Sequence, residues 1–192
     1  MRYWNYYCAL ESDLKKISRY IEFTEDNKLT HSIELTRLFL ASCSEIEVLL
    51  KEICYLLDKK SNPEKINKYQ EIIINELPDL INETVNIGFT FSNLQPWKSW
   101  NENLTPDWWK KHNKVKHERN IHFRKANLEN SLNSMSALFI CVNYYYKIVF
   151  SEKLGPSLKR ELRFQDVTRV LKSDSGQIRF EAPYYDQHLL IN

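Results

Sequence analysis

Glycine is scarce: the 192-residue chain has three. Neither GxxxxGKS/T nor GxGxxG occurs, which argues against nucleotide sites built on Gly-rich phosphate loops. Cysteine is sparse too. Cys8, Cys43, Cys54 and Cys141 include no CxxC pair, and the last three sit in apolar helical runs, where a thiol acts as a small hydrophobe. No apolar run approaches the roughly 18 residues of a membrane span. The opening MRYWNYYCALESDLKK lacks the apolar core of a secretory leader. These absences predict a protein of the reducing cytoplasm with no membrane partner. Net charge is also nearly absent, at +2, so any nucleic-acid binding must come from a local patch rather than a whole-molecule field.

What is present is ordinary for a folded domain, except for aromatics at 13%. A chain this long can bury roughly 70% of its unfolded surface and needs no staples. Leu10, Leu14, Ile17 and Ile21 predict a helix over residues 10–23, and Thr30 is a candidate cap for the next. Leu35, Leu38, Ser42, Ile46, Leu49, Ile53 and Leu56 alternate at three and four, the mark of a long core helix. Pro63 is placed to open a further helix over residues 64–86, with Pro78 splitting it. GFTF is expected to be extended, and LTPDWW to start a helix with Thr105 as cap and Pro106 first. Leu128, Leu132, Met135, Phe139, Val142, Tyr146 and Val149 predict a second long core helix, closed by Gly155 and Pro156. The tail differs: DVTRVLKSDSGQIRFEAP reads as two short runs about a turn, a β-hairpin or extended arm. The expected fold is all-α, an antiparallel up-and-down bundle of four to six helices over residues 1–155, with residues 156–192 as a C-terminal extension.

One segment departs from this background. WWKKHNKVKHERNIHF, residues 108–123, holds three of the five histidines. It is not a zinc motif. His117 and His122 are five apart and diverge by about 140° on a helix, against about 40° for a zincin pair. No metal and no cofactor is expected. From Lys110 to Lys125 the cations are Lys110, Lys111, Lys114, Lys116, Arg119, Arg124 and Lys125, against Glu118 alone. With Trp97, Trp100, Trp108 and Trp109 close by, such a strip suits a phosphate backbone with stacked bases; a solvated basic helix beside core tryptophans fits the same residues. Metal-free RNA cleavage uses the RNA's own 2′-hydroxyl. It asks the protein for proton transfer near neutral pH and a cation facing phosphorus, for which histidine and arginine suffice.

In these residues the chain resembles the HEPN superfamily, helical-bundle proteins that are often RNases of toxin–antitoxin and phage-defence systems. The family signature is an Arg, a short spacer and a His, frequently RNxxxH, at or just before the last long helix. Here HNKVKH at 112–117 fits that frame, with Asn113 and His117 in the Asn and His places and His112 in the Arg place. The resemblance spans roughly residues 10 to 150. It implies His117 as acid–base or as the holder of the 2′-hydroxyl, Asn113 as the amide orienting the phosphate or the imidazole, and His112 or a lysine as the group facing the developing charge. Lys110, Lys111, Lys114, Lys116, Arg119 and Arg124 would bind nucleic acid. On an unbroken helix Arg119 points about 160° from His117 and re-enters the site only if the helix ends there, or from a second subunit. The resemblance also implies a homodimer and an antitoxin or other defence partner. Two functions follow from it: an RNA-directed endoribonuclease, or a catalytically silent scaffold that binds a partner protein or nucleic acid.

Overall fold

The computed structural model describes residues 1–88, 91–154 and 164–181. Helix α1 (Arg2–Ile17) starts earlier than its aliphatic residues suggest, because Trp4 and Tyr7 extend the stripe of Leu10, Leu14 and Ile17 toward the N-terminus. Helix α2 (Ile33–Leu57) is capped by Ser32, not Thr30: the Ser32 hydroxyl accepts from the Leu35 N–H at 3.1 Å. Pro63 opens no helix; α3 (Ile66–Glu76) begins later, and Pro78 starts α4 (Pro78–Asn82). The helix expected through residue 86 therefore stops at Asn82. Val85, Asn86 and Ile87 form strand β1 (Val85–Ile87), with both valine and isoleucine buried and Asn86 half-exposed. Gly88, at φ +56, leaves β1 before β2 (Phe91–Leu94).

Helix α5 (Asp107–His117) carries Pro106 at its N-cap position, and no side chain caps it. A short α6 (Arg119–His122) and a 3-10 turn at Phe123–Lys125 lead to α7 (Leu128–Leu154). The expected closure by Gly155 and Pro156 lies outside the described residues. Helix α8 (Phe164–Val170) and strand β3 (Ile178–Phe180) complete the eight helices and three strands among the described residues.

The centre is the α2–α7 pair, against which α1 and α5 pack. Leu35, Ile46, Leu49, Ile53, Leu128, Met135 and Val142 are fully enclosed, each burial contributing about 1.5–3 kcal/mol. Within this apolar seam the hydroxyls of Ser42 and Ser134 meet at 2.7 Å. Cys43, Cys54 and Cys141 are buried as free thiols, as their apolar neighbours predict.

The tail forms no hairpin with itself among the described residues. Its first run is α8, since Val167 and Leu171 turn inward at i, i+4 while Val170 is exposed. Its second run does alternate, but β3 finds its partner in β1, with Val85 opposite Phe180 and Ile87 opposite Ile178. The sheet is antiparallel in the order β2-β1-β3. The remainder of the tail lies outside the described residues.

Candidate nucleic-acid site

The buried face of α5 is Trp108, Trp109, His112 and Val115. These residues repeat at four and three along the helix and point at the core. Trp109 and Phe39 enclose the His112 ring, at centroid distances of 5.4 and 6.0 Å. Only 3% of His112 is exposed. Burial, reinforced by the positive charge of Lys116 and opposed by Glu47, pushes its imidazole from 6.5 down to about 4. His112 is thus neutral near pH 7, and its role as a cation facing phosphate must be withdrawn. Its Nδ1 has no hydrogen-bond partner among the described residues.

The four tryptophans are buried too. Trp97 packs on Trp100 at 4.4 Å and on Trp108 at 5.2 Å, and the Trp108 indole donates to the Pro96 carbonyl at 2.9 Å. They fasten the connection before α5 to the bundle and offer no platform for stacked bases. The tryptophan and histidine spacing within α5 already carried this signal: His112 continues an apolar stripe rather than a polar face.

The opposite face of α5 is exposed and carries Lys110, Asn113, Lys114, Lys116 and His117. Asp107 stands in the first turn and Lys114 and Lys116 in the last, each sign at the helix end that favours it. Lys111 is tied to Asp107 at 2.6 Å, and His122 lies 3.3 Å from Glu118. Lys110, Lys114, Lys116, Arg119 and Arg124 enter no ion pair among the described residues. The strip therefore keeps most of its positive charge for a partner.

The helix ends at His117. Glu118, at φ −136° and ψ 53°, donates its N–H to the Lys114 carbonyl at 2.9 Å, and its own carbonyl accepts from Ile121 and His122 to open α6. After this break Arg119 lines the same cavity as the histidine. Lys116, His117, Arg119 and Asn120 share the wall of one open cavity of about 740 Å³, whose apolar part is Leu40 and Phe123, with Val115 behind them in the core. Of the residues expected to act together, His117, Lys116 and Arg119 are collected there. Asn113, Lys110, Lys111, Lys114 and Arg124 do not line it. Asn120 takes the place expected of Asn113 as the nearby amide. A larger groove of about 1180 Å³ between α1 and α2 contains none of these candidates and shares only Leu40 with the smaller cavity.

No group of three His, Cys, Asp or Glu side chains among the described residues is placed to hold a metal ion. No helix among them is long and apolar enough to cross a membrane. Comparison with protein-family models, with curated proteins and with solved structures finds no match.

Proposed function

We propose that the chain is a HEPN-like, RNA-directed protein of up-and-down bundle type, acting as a metal-independent endoribonuclease in a cytoplasmic defence or toxin–antitoxin system. The observation that supports this reading is the shared cavity of His117 and Arg119. Arg119 supplies the guanidinium that the motif frame lacks at position 112. In the proposed reaction His117 accepts the proton of the RNA 2′-hydroxyl as its oxygen bonds to phosphorus. Arg119, with Lys116, faces the charge that develops on the phosphoryl oxygens. The bond to the 5′-oxygen breaks, and that oxygen takes a proton from an acid or from water, leaving a 2′,3′-cyclic phosphate and a 5′-hydroxyl. Asn120 orients the phosphate or the imidazole. The strip of Lys110 and Lys114 holds the backbone farther along. Pairing as a homodimer, and a cognate partner protein, are proposed on the family resemblance.

A second reading has its own support. The frame position for arginine holds a buried, neutral His112, which favours a catalytically silent HEPN-like scaffold that binds nucleic acid or a partner protein without cleaving. One experiment separates the two. Labelled RNA is incubated with the protein in EDTA, alongside His117→Ala, Arg119→Ala and Arg119→Lys. Cleavage that survives chelation, disappears in His117→Ala and falls by about a hundredfold or more in Arg119→Ala supports the enzyme. Arg119→Lys keeps the charge without the planar fork and is expected to fall between. Binding that weakens steeply with salt, with no cleavage, supports the scaffold. Neither cleavage nor binding leaves a helical adaptor with no nucleic-acid role.

A further inference from the structure

The cavity beside His117 is only half polar. A site for a bare phosphate needs donors and positive charge, and Lys116 and Arg119 provide both. It has no use for Leu40 and Phe123, which form the other part of the lining. Its volume, about 740 Å³, lies within the roughly 300–1,000 Å³ of sites that enclose a small organic ligand. A charged half joined to an apolar half fits an anion that carries a flat or apolar group, and for an RNA-directed site that is a nucleotide whose phosphate and base are held together.

Phe123 is suited to be the base-facing wall. It is half-buried rather than part of the core, on the connection between α6 and α7. The edge-on ring of His31 braces it, at 5.7 Å and 84°. That connection is itself clipped to the chain before α2. His31 pairs with Asn127, the Leu128 N–H donates to the Thr30 carbonyl at 2.9 Å, and the Glu129 N–H donates to the Lys28 carbonyl at 3.0 Å. The ring is therefore set before any ligand arrives, which lowers the cost of ordering it. Asn120 on the same wall carries both a donor and an acceptor, as reading a base edge requires. With the tryptophans buried, Phe123 is the aromatic ring that lines this cavity.

We propose that the cavity is a nucleobase pocket, in which Phe123 stacks on one unpaired base of a single-stranded RNA while Arg119 and Lys116 hold its phosphate. The proposal rests on the RNA-directed reading above and adds the substrate class. A base inside a duplex cannot reach the ring without leaving its stack, so paired RNA is excluded from the pocket. His31 acts through Phe123 as a positioning residue.

The test is a binding titration in EDTA with 2′-O-methyl RNA, which lacks the attacking hydroxyl and so isolates binding from cleavage. Three polymers of equal length are compared: a single strand, its duplex, and an abasic oligomer. The wild-type protein is expected to bind the single strand about tenfold or more tighter than the abasic oligomer, the range of one aromatic stacking contact. Phe123→Leu, which keeps apolar volume but loses the π-face, is expected to erase that preference, so that the single strand binds no tighter than the abasic oligomer. A thermal melt of the variant accompanies the titration. If it does not fold, Asn120→Ala, at an exposed position, is expected to alter preference among the four homopolymers. Equal wild-type binding to all three polymers, or full base preference in folded Phe123→Leu, overturns the pocket and leaves RNA binding standing. No binding to any polymer, with no cleavage of ordinary RNA, sinks the RNA reading and the pocket together.

Discussion

The carboxylate of Glu11, on the first helix, accepts a hydrogen bond from the backbone N–H of Ile178, 167 residues later in the chain, at 2.9 Å. Glu11 is fully enclosed. It also accepts from the Gln177 N–H at 3.0 Å, from the Tyr7 hydroxyl at 2.9 Å and from the Ser173 hydroxyl. A carboxylate stays buried only when its lone pairs are met, and these four donors meet them. The result is a clamp that fixes the start of β3 against α1.

Glu11→Ala is expected to leave those donors facing an apolar gap and to cost roughly 2–3 kcal/mol, the scale of hydrogen bonds to a buried charge. The loss should be local as well as global. Hydrogen exchange should quicken first at Ile178 and Phe180, before the amides of α2 and α7 respond. Urea denaturation followed by exchange mass spectrometry checks both. Unchanged protection of β3 would sink the clamp.

Acid should weaken the fold through His112. The unfolded imidazole binds its proton near 6.5, whereas the buried one resists until about 4. Between those values the unfolded chain binds more protons, so stability is fully present above 6.5 and is lost as pH falls toward 4. The loss attributable to this residue is on the order of 3 kcal/mol by pH 4. His112→Phe keeps a ring between Trp109 and Phe39 and removes the titration. The stability difference between wild type and variant should therefore shift against the wild type on going from pH 7 to pH 4. Parallel urea melts at several pH values measure this, since carboxylates common to both proteins cancel.

The basic strip should read as counterion release. Lys110→Ala and Lys114→Ala each remove a cation with no ion pair among the described residues, and each should lower the slope of log affinity against log salt by about one. Lys111→Ala should lower it less, because Asp107 already neutralises that ammonium at 2.6 Å. A salt titration with a fixed single-stranded RNA gives all three slopes. Equal losses at Lys110 and Lys111 would mean that the ion pair opens on binding.

The hydroxyl pair at the centre of the bundle should behave as a coupled unit. Ser42 and Ser134 meet at 2.7 Å: one hydroxyl donates to the other, and the accepting one donates to the carbonyl one turn back on its own helix, Phe39 for Ser42 or Ser131 for Ser134. Ser42→Ala and Ser134→Ala should each cost about 1 kcal/mol, and the double variant less than their sum, because no hydroxyl is then left facing an apolar group. A double-mutant cycle of thermal or urea melts supplies the number. Strict additivity would show that the contact carries no energy of its own.

The long helices were legible because their signal is local. A stripe at three and four residues specifies a buried face whatever it packs against, so α2 and α7 follow from spacing alone. Helix ends were less so. Ser32 and Thr30 are both acceptable caps in isolation, and the choice falls to Ser32 because the Thr30 carbonyl is engaged by Leu128. The candidate site was read in part. His117 and Lys116 sit on the exposed side of α5, and the tryptophans take the core places that the sequence equally allows, while His112, expected to face a phosphate, lies on the buried side that its spacing marks.

The sequence by itself determined that this is a mainly helical chain with two long core helices, and that its positive charge and histidines gather just before the last of them. Both are properties of neighbouring residues, and helical periodicity and local composition suffice to express them. Only the tertiary structure decided that α5 stops at His117 so that Arg119 returns to the same cavity, that His112 is enclosed between Trp109 and Phe39, and that β3 pairs with β1 rather than with its own tail. Each of these depends on which distant surface a segment is packed against, and burial and strand pairing are set by contacts between residues far apart in the chain.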